Sequence, residues 1–432
     1  MVLPIFFTFV ISLSNLSTGH FFDKDQVKDI LLEESYLPDN PTFIKFKIYQ
    51  TTNKKTLLVT NDDHYTELKD KKEYSLAPFV SRDIIQESRQ LTPLEVISYF
   101  EKNQNIQFDH PDHFDELFLF YRSSKLANLR SRYLPLENDK IQNTQTGEIY
   151  TPDFEVGRYV SEIGHELMPG FYRWVGFSNY ISLITNKDLR RSFINVFIWT
   201  MTWGFFSVFL SFSLGITLAI IVNDKNLKLK AVYRNLLILP YSIPFFISVL
   251  IFKGMLNKDF GLINEMLAFF SIPAVPWLEH GTWAKVACLM VNLWLGFPYM
   301  FLVTTGVLQS IPESLYDAAK LENAGPLTRF NKITLPLIMS AIGPLLIGSF
   351  AFNINNFVGI YLLTGGGPPM EGASTQVGKT DILISYTYRL AFEGGQGQDF
   401  GLASSIAVII FMIVATITMF NFRWFKTENA NA

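Results

Sequence analysis

Phe193-Ile-Asn-Val-Phe-Ile-Trp-Thr-Met-Thr-Trp-Gly-Phe-Phe-Ser-Val-Phe-Leu-Ser-Phe-Ser-Leu-Gly-Ile-Thr-Leu-Ala-Ile-Ile-Val222 carries no charged side chain from end to end. The about 20 apolar residues that an α-helix needs to cross hydrocarbon fit within it, so it reads as a membrane span. Working outward, four more stretches qualify: about Leu236 to Phe252 (with Pro240 and Pro244), Val286 to Leu308, Leu335 to Leu363, and Leu402 to Phe420. A hydrophobic content of 49% and a mean hydropathy of +0.20 agree with a membrane class. Within the fourth stretch, Pro344 and Gly348 predict a kink or a close helix contact rather than a break.

Upstream the composition inverts. Residues 23 to 160 are rich in Asp, Glu, Lys, Asn and Gln, as in a polar domain. Runs such as Thr42 to Tyr49 and Thr56 to Thr60 bunch β-formers and predict strands. Thr92 to Glu101 predicts a helix, with Thr92 as N-cap, Pro93 at the first position and Glu95 completing a capping box. Trp174, Phe177, Tyr180 and Ile181 fall near helical spacing and suggest an amphipathic segment at the membrane interface. The lone cysteine, Cys288, leaves no internal disulfide. A net charge of −3, with no dense basic run, gives no nucleic-acid partner.

Residues 1 to 16 are apolar but short. Without a basic n-region or a convincing cleavage site they read as a membrane helix lacking upstream sequence rather than as a signal peptide. Basic residues orient the rest: Lys225, Lys228, Lys230 and Arg234, then Lys320, Arg329 and Lys332, then Arg423 and Lys426 mark cytoplasmic segments. The polar domain is then extracytoplasmic. The expectation is an all-α polytopic membrane protein with an inserted α+β domain: residues 1–18 a membrane helix, 19–190 the external domain with its interfacial segment, and 191–425 a core of five helices.

Between the third and fourth spans lies Ser310-Ile-Pro-Glu-Ser-Leu-Tyr-Asp-Ala-Ala-Lys-Leu-Glu-Asn-Ala-Gly-Pro326. Ser310 and Glu313 have capping-box spacing, with Pro312 in the first turn, so a helix should start here. Asn323, Gly325 and Pro326 should end it, because Asn and Gly accept left-handed angles and proline cannot continue a helix. Leu327 to Ile333 predicts a second short helix leading through Leu335 and Pro336 into the fourth span. The residues alone allow an ordinary surface loop or a docking element.

Two spans also carry polar faces. Ser349, Phe352, Asn353 and Asn356 are spaced 0, 3, 4 and 7, and Asn292, Gly296 and Tyr299 are spaced 0, 4 and 7, each set predicting one helix face. An amide in hydrocarbon is costly without a partner. Such groups either bond neighbouring helices or line a polar ligand path with amides, hydroxyls and aromatic faces. Asn355 points to a different face.

Asp317-Ala318-Ala319 followed at fixed spacing by Ile333-Thr334-Leu335-Pro336 resembles the Glu-Ala-Ala signature of bacterial ABC importer permeases. Val232 to Pro240, Val291 to Tyr299, Ser349 to Phe357 and Ala391 to Gly401, with the large external domain, are similar to the maltose/maltodextrin branch of that family. Asp317 stands where Glu is usual, and Asn323 where Gly is usual. The resemblance implies a type I permease core in the bacterial inner membrane, without enzymatic activity of its own. It makes Asp317, Ala318, Ala319, Asn323, Gly325, Ile333, Leu335 and Pro336 an ATPase-coupling loop within 310–336, and Asn292, Gly296, Tyr299, Ser349, Phe352, Asn353 and Asn356 the sugar-binding set. The implied partners are a second permease subunit, two copies of a cytoplasmic ATPase subunit that bind ATP and Mg, a periplasmic maltose-binding protein, maltose or maltodextrin, and the bilayer. Set against that family, the sequence is expected to lack the family's first two N-terminal helices.

Other patterns carry less. Ala373 to Thr380 fits a relaxed phosphate-loop pattern, but a phosphate loop follows a strand and opens a helix. Asp109, His110, Asp112, His113 and Asp115 match no zinc spacing and predict a solvated acidic turn. The Gly365 to Pro369 run is a turn-rich loop. A membrane-bound sensor with an external ligand domain is the alternative, but leaves the 310–336 helices and the polar faces unused. An enzyme acting on lipid-linked sugars would need an acid, base or metal cluster, and none is legible.

Overall fold

The structure, a computed structural model, describes residues 2–430 apart from 40, 52–54, 61–63, 69–72, 79–87, 103–106, 110–116, 123–124, 129, 225, 374–375 and 394–396. It divides into two units, Phe22–Phe171 and the remainder, Met1–Phe21 with Tyr172–Ala432.

In the Phe22–Phe171 unit, strand Phe43–Gln50 turns Ile44, Phe46 and Ile48 inward in strict alternation. It pairs antiparallel with Thr56–Thr60 on one side and Lys125–Asn128 on the other, within a nine-stranded sheet. Helix Pro93–Lys102 lays Val96 and Phe100 on that face, with the Phe46 and Phe100 rings 6.0 Å apart. Burying each such side chain contributes about 1.5–3 kcal/mol. The capping box forms as predicted: the Thr92 N–H donates to Glu95 Oε2 at 2.8 Å and the Glu95 N–H to Thr92 Oγ1 at 3.4 Å. A four-stranded meander, from Tyr133–Pro135 to Arg158–Ser161, packs Tyr150 and Tyr159 against Val27 and Leu31 of helix Lys24–Glu33. At its first turn Asp139 accepts from Lys24 at 2.5 Å and Lys28 at 2.8 Å, which holds its carboxyl down at about 2. This unit is α+β.

In the other unit, four helices among the described residues are long and apolar enough to span a bilayer: Lys187–Asn223, Gly281–Ser310, Pro326–Ile354 and Phe400–Met419. The second predicted span is not one straight helix. Lys230–Ser242 and Phe245–Met255 meet at 90°. Pro244 has no N–H to continue the ladder and pushes Ile243 into extended geometry, ψ 132°. The predicted Leu335 to Leu363 span is also two helices, Leu335–Ile354 and Phe357–Thr364, although the first runs through Pro344 without interruption. The N-terminal apolar helix, Val2–Ser12, packs along the Phe400–Ala430 helix.

The helix in the 174–181 segment is shorter than its spacing suggests. Trp174 and Phe177 precede the helix Ser178–Thr185, and only Tyr180 and Ile181 lie within it. Trp174, Phe177 and Ile181 are exposed, whereas the Tyr180 hydroxyl turns to Ser12 Oγ at 2.7 Å.

The first and third spans lie side by side and parallel: Trp199 meets Lys285, Ser211 meets Gly296, Gly215 meets Met300 and Asn223 meets Gln309. Ser207, Ser211, Gly215 and Ala219 recur every four residues and form the small ridge that such close approach in a membrane requires. A β-carbon on Gly296 would sit 2.7 Å from Ser211 Oγ.

Candidate functional site

The third and fourth spans face each other across a cavity of about 560 Å³. The third contributes Asn292, Gly296 and Tyr299, and the fourth contributes Ser349, Phe352 and Asn353. Both sets stand where helical spacing predicts. The amides are joined: Asn292 Nδ2 donates to Asn353 Oδ1 at 2.9 Å, and Asn353 Nδ2 to the Ser349 carbonyl at 2.8 Å. The Trp203 indole donates to the Asn353 carbonyl at 2.9 Å and ties this wall to the first span. Tyr299 and Phe352 add aromatic surface, Phe352 being exposed. The result is a concave wall with fixed amides and aromatic faces.

Asn356 does not share that helix face or line the cavity. The helix ends at Ile354, and Asn356 is the N-cap of Phe357–Thr364, its Oδ1 accepting the Gly359 N–H at 3.2 Å. A helix start inside a membrane has no water to satisfy its first N–H groups, so the side chain does so.

Three hydroxyl-bearing wall residues were missed by spacing on the third and fourth spans: Ser207 and Ser211 of the first span, and Tyr241 beside the bend. Other hydroxyls on the first span return to the carbonyl four residues back, as Thr200 does to Val196 and Thr217 to Ser213, both at 2.7 Å. Ser207 and Ser211 are buried, and their hydroxyls have no hydrogen-bond partner among the described residues. The four-residue repeat of small polar side chains was the available signal.

The 310–336 loop is a helix pair. Ser310 remains the last residue of the third span, its hydroxyl bonded to the Val307 carbonyl, so the predicted Ser310–Glu313 capping box does not form. Glu313–Leu321 starts after Pro312, which occupies the N-cap rather than the first turn. It ends as a Schellman turn: the Ala324 N–H reaches the Ala319 carbonyl at 2.9 Å and the Asn323 N–H the Lys320 carbonyl at 3.0 Å. Asn323 takes the left-handed position, φ +53°. Gly325 does not. It is extended, φ −66°, and precedes the short helix Pro326–Arg329.

Phe330–Thr334, which holds Ile333, is a π-helical turn running without interruption into Leu335 and Pro336 of the fourth span. Tyr316 and Thr334 hydroxyls meet at 2.9 Å and brace the two helices. Asp317 pairs with Lys320 at 2.8 Å, and Asp317 and Ala318 are exposed. The described part of the Ala373 to Thr380 stretch is loop, bridged to Pro369 through Gly378, with Ser374 and Thr375 outside the described residues. His110, Asp112, His113 and Asp115 also lie outside them.

Residues 211–426 match the family described as binding-protein-dependent transport system inner membrane component. The maltose/maltodextrin transport system permease protein MalF of Vibrio vulnificus (strain YJ016) is 36% identical over 443 residues, covering 99% of this chain and 82% of that protein. The chain belongs to the MalF permease family. The same-named protein of Escherichia coli (strain K12) is 45% identical over 290 residues, 66% of this chain and 56% of its own length. Among solved structures, a bacterial alginate ABC transporter in complex with an alginate pentasaccharide-bound periplasmic protein matches with 23% identity and a TM-score of 0.48, over 57% of this chain and 81% of that one. As a member of that family the chain is a permease subunit of a binding-protein-dependent transport system, a multi-pass inner-membrane transport protein.

Proposed function

We propose that this permease passes maltose and maltodextrins through the cavity between its first, third and fourth spans. The observation that carries this reading is the Asn292–Asn353–Ser349 hydrogen-bonded wall beside Tyr299 and Phe352. Fixed amides suit sugar hydroxyls, and aromatic faces suit the apolar sides of pyranose rings. The relatives named for maltose support the choice of sugar.

The exposed Asp317 and Ala318 on the braced helix pair suit a docking element for an ATPase subunit. Two copies of that subunit bind ATP and Mg, this chain binding neither, and a second permease completes the pathway. A periplasmic maltose-binding protein delivers sugar, with the Phe22–Phe171 unit on its side of the membrane. The basic residues at 228–234 and 320–332 support placing the loop in the cytoplasm.

The test is labelled maltose uptake and ATP hydrolysis by the complex reconstituted with its partner subunits. Tyr299→Ala and Asn353→Ala should each lower uptake about 100-fold with assembly intact, because a buried sugar hydrogen bond left unmatched costs about 1–3 kcal/mol and each variant removes more than one contact. Normal uptake by both variants would remove the cavity as the route. Deleting residues 317 to 325 should leave ATP hydrolysis uncoupled from uptake, and uptake unaffected by that deletion would remove the loop's role.

A further inference from the structure

Where the first and third spans begin, a second cavity of about 510 Å³ opens, separate from the sugar route. Its polar walls come from Asn195, Thr202, His280, Thr282, Lys285 and Lys379. Two cations face one niche. The Lys285 ammonium lies 4.7 Å over the Trp199 ring and has no carboxylate partner among the described residues. Lys379 lies against Gly281, and its pairing with Glu371, at 3.5 Å, is to a side chain that is 93% exposed. The niche's carboxylate, Asp381, is taken up elsewhere: it accepts from the Gly378 N–H and the Ser385 hydroxyl, and pairs with Arg389 at 3.3 Å. The niche is therefore cationic, at a depth where a helix begins and Trp277 and Trp283 pack edge to face. An unpaired lysine in a membrane span is functional by default.

Farther along the first span is an apolar groove of about 660 Å³, walled by Phe205, Phe209, Phe212, Met339, Phe350 and Ile417 among others. Niche and groove share one helix stripe. Asn195 and Thr202 of the niche and Phe209 and Ile216 of the groove succeed one another at seven-residue steps, two turns each. On that stripe Ile198 of the niche is followed seven residues on by Phe205 of the groove, 57% and 56% exposed. From Trp199, level with Lys285, to Phe209 is about 15 Å along the axis, about the depth of one leaflet of a 30 Å hydrocarbon core, and the groove continues past it to Ile216 and Thr217.

A cationic niche joined by exposed apolar residues to a greasy groove one leaflet deep matches an amphiphile. We propose that niche and groove form one glycerophospholipid site, with the phosphate between Lys285 and Lys379 and an acyl chain along Ile198, Phe205 and Phe209. The phosphate answers the charge, and the chain answers the phenylalanines. A free anion would use the niche alone, and a helix of a partner protein would use the groove alone.

The test uses the complex purified with its partner subunits, delipidated in detergent, and titrated with dioleoylphosphatidylglycerol, dihexanoylphosphatidylglycerol or inorganic phosphate, with bound lipid read by native mass spectrometry. The long-chain lipid should bind the native complex, and Lys285→Gln/Lys379→Gln should weaken it at least tenfold, with Lys285→Arg/Lys379→Arg retaining it. Phe209→Ala should weaken the long-chain lipid several-fold more than the short-chain one. Unchanged lipid binding by the Gln pair overturns the proposal. So does displacement of the bound long-chain lipid by an equal concentration of inorganic phosphate, which assigns a free-anion site. A loss of partner-subunit assembly in either variant set, with lipid binding unchanged, assigns a protein contact and overturns it too.

Discussion

The loop at 310–336 and the end of the fourth span at 349–356 each turn on an asparagine at a helix end, and the two asparagines work in opposite directions. Asn323 closes a helix with its backbone. It sits in the left-handed region, exposed, and its N–H returns to Lys320. Asn356 opens a helix with its side chain, buried, its Oδ1 holding the Gly359 N–H. The difference follows from solvent. At the exposed loop water can satisfy loose polar groups, so the turn needs only a residue tolerant of positive φ. In the membrane no water is at hand, so an amide side chain is used on the backbone.

The comparison breaks most easily at the wall, where the helices are closest. Gly296 faces Ser211 with no room for a β-carbon, whereas one at Gly325 in the loop meets nothing within 4 Å. Gly296→Val should destabilise the complex by about 1–3 kcal/mol through overpacking and depress maltose uptake with it. Thermal denaturation of the reconstituted complex reads the first effect. An unshifted midpoint would mean that the first and third spans are not held together through this contact.

Next in size is the loop. Asn323→Val places a β-branched side chain at positive φ, at a cost of about 1–2 kcal/mol, and should lower uptake per ATP hydrolysed without touching sugar affinity. Asn323→Gly should be near neutral, since glycine takes that angle freely. If the valine variant couples as well as the native chain, the left-handed turn is not what orients the Glu313–Leu321 helix.

How much of this was legible beforehand differs between the same two regions. The turn at Asn323 was readable because Asn, Gly and Pro in succession are local signals that need no knowledge of neighbours. Even there the sequence misled at both ends: Ser310 continued the third span, and Gly325 proved extended, because a long preceding helix and the single left-handed residue at 323 met the backbone's needs. At the wall, periodicity placed Asn292, Gly296, Tyr299, Ser349, Phe352 and Asn353 on one cavity. It failed at Asn356 because three amides in four residues look alike to a period of 3.6. Ser207 and Ser211 were illegible from the third and fourth spans alone, since nothing within one helix states which other helix will lie against it. The five apolar stretches were legible as membrane segments, but the 90° bend at Pro244 was not, because proline in a span signals a kink without giving its angle.

The smallest effect is the sharpest probe of the two asparagines. Asn356→Ala removes one N-cap and should cost about 1 kcal/mol, with uptake reduced by less than tenfold. Asn356→Ser restores an oxygen that can accept the Gly359 N–H and should recover most of that loss, although a serine presents no amide to a sugar. The Asn356 Nδ2 has no hydrogen-bond partner among the described residues, so the serine variant also removes a buried orphan donor and should not fall below the alanine variant in stability. Uptake kinetics and thermal midpoints of the two variants separate the roles: a cap predicts that serine rescues both quantities together, whereas a sugar ligand predicts that serine rescues the midpoint and leaves the Michaelis constant for maltose raised. The second outcome would put Asn356 back with Asn353 on the substrate path and erase its contrast with Asn323.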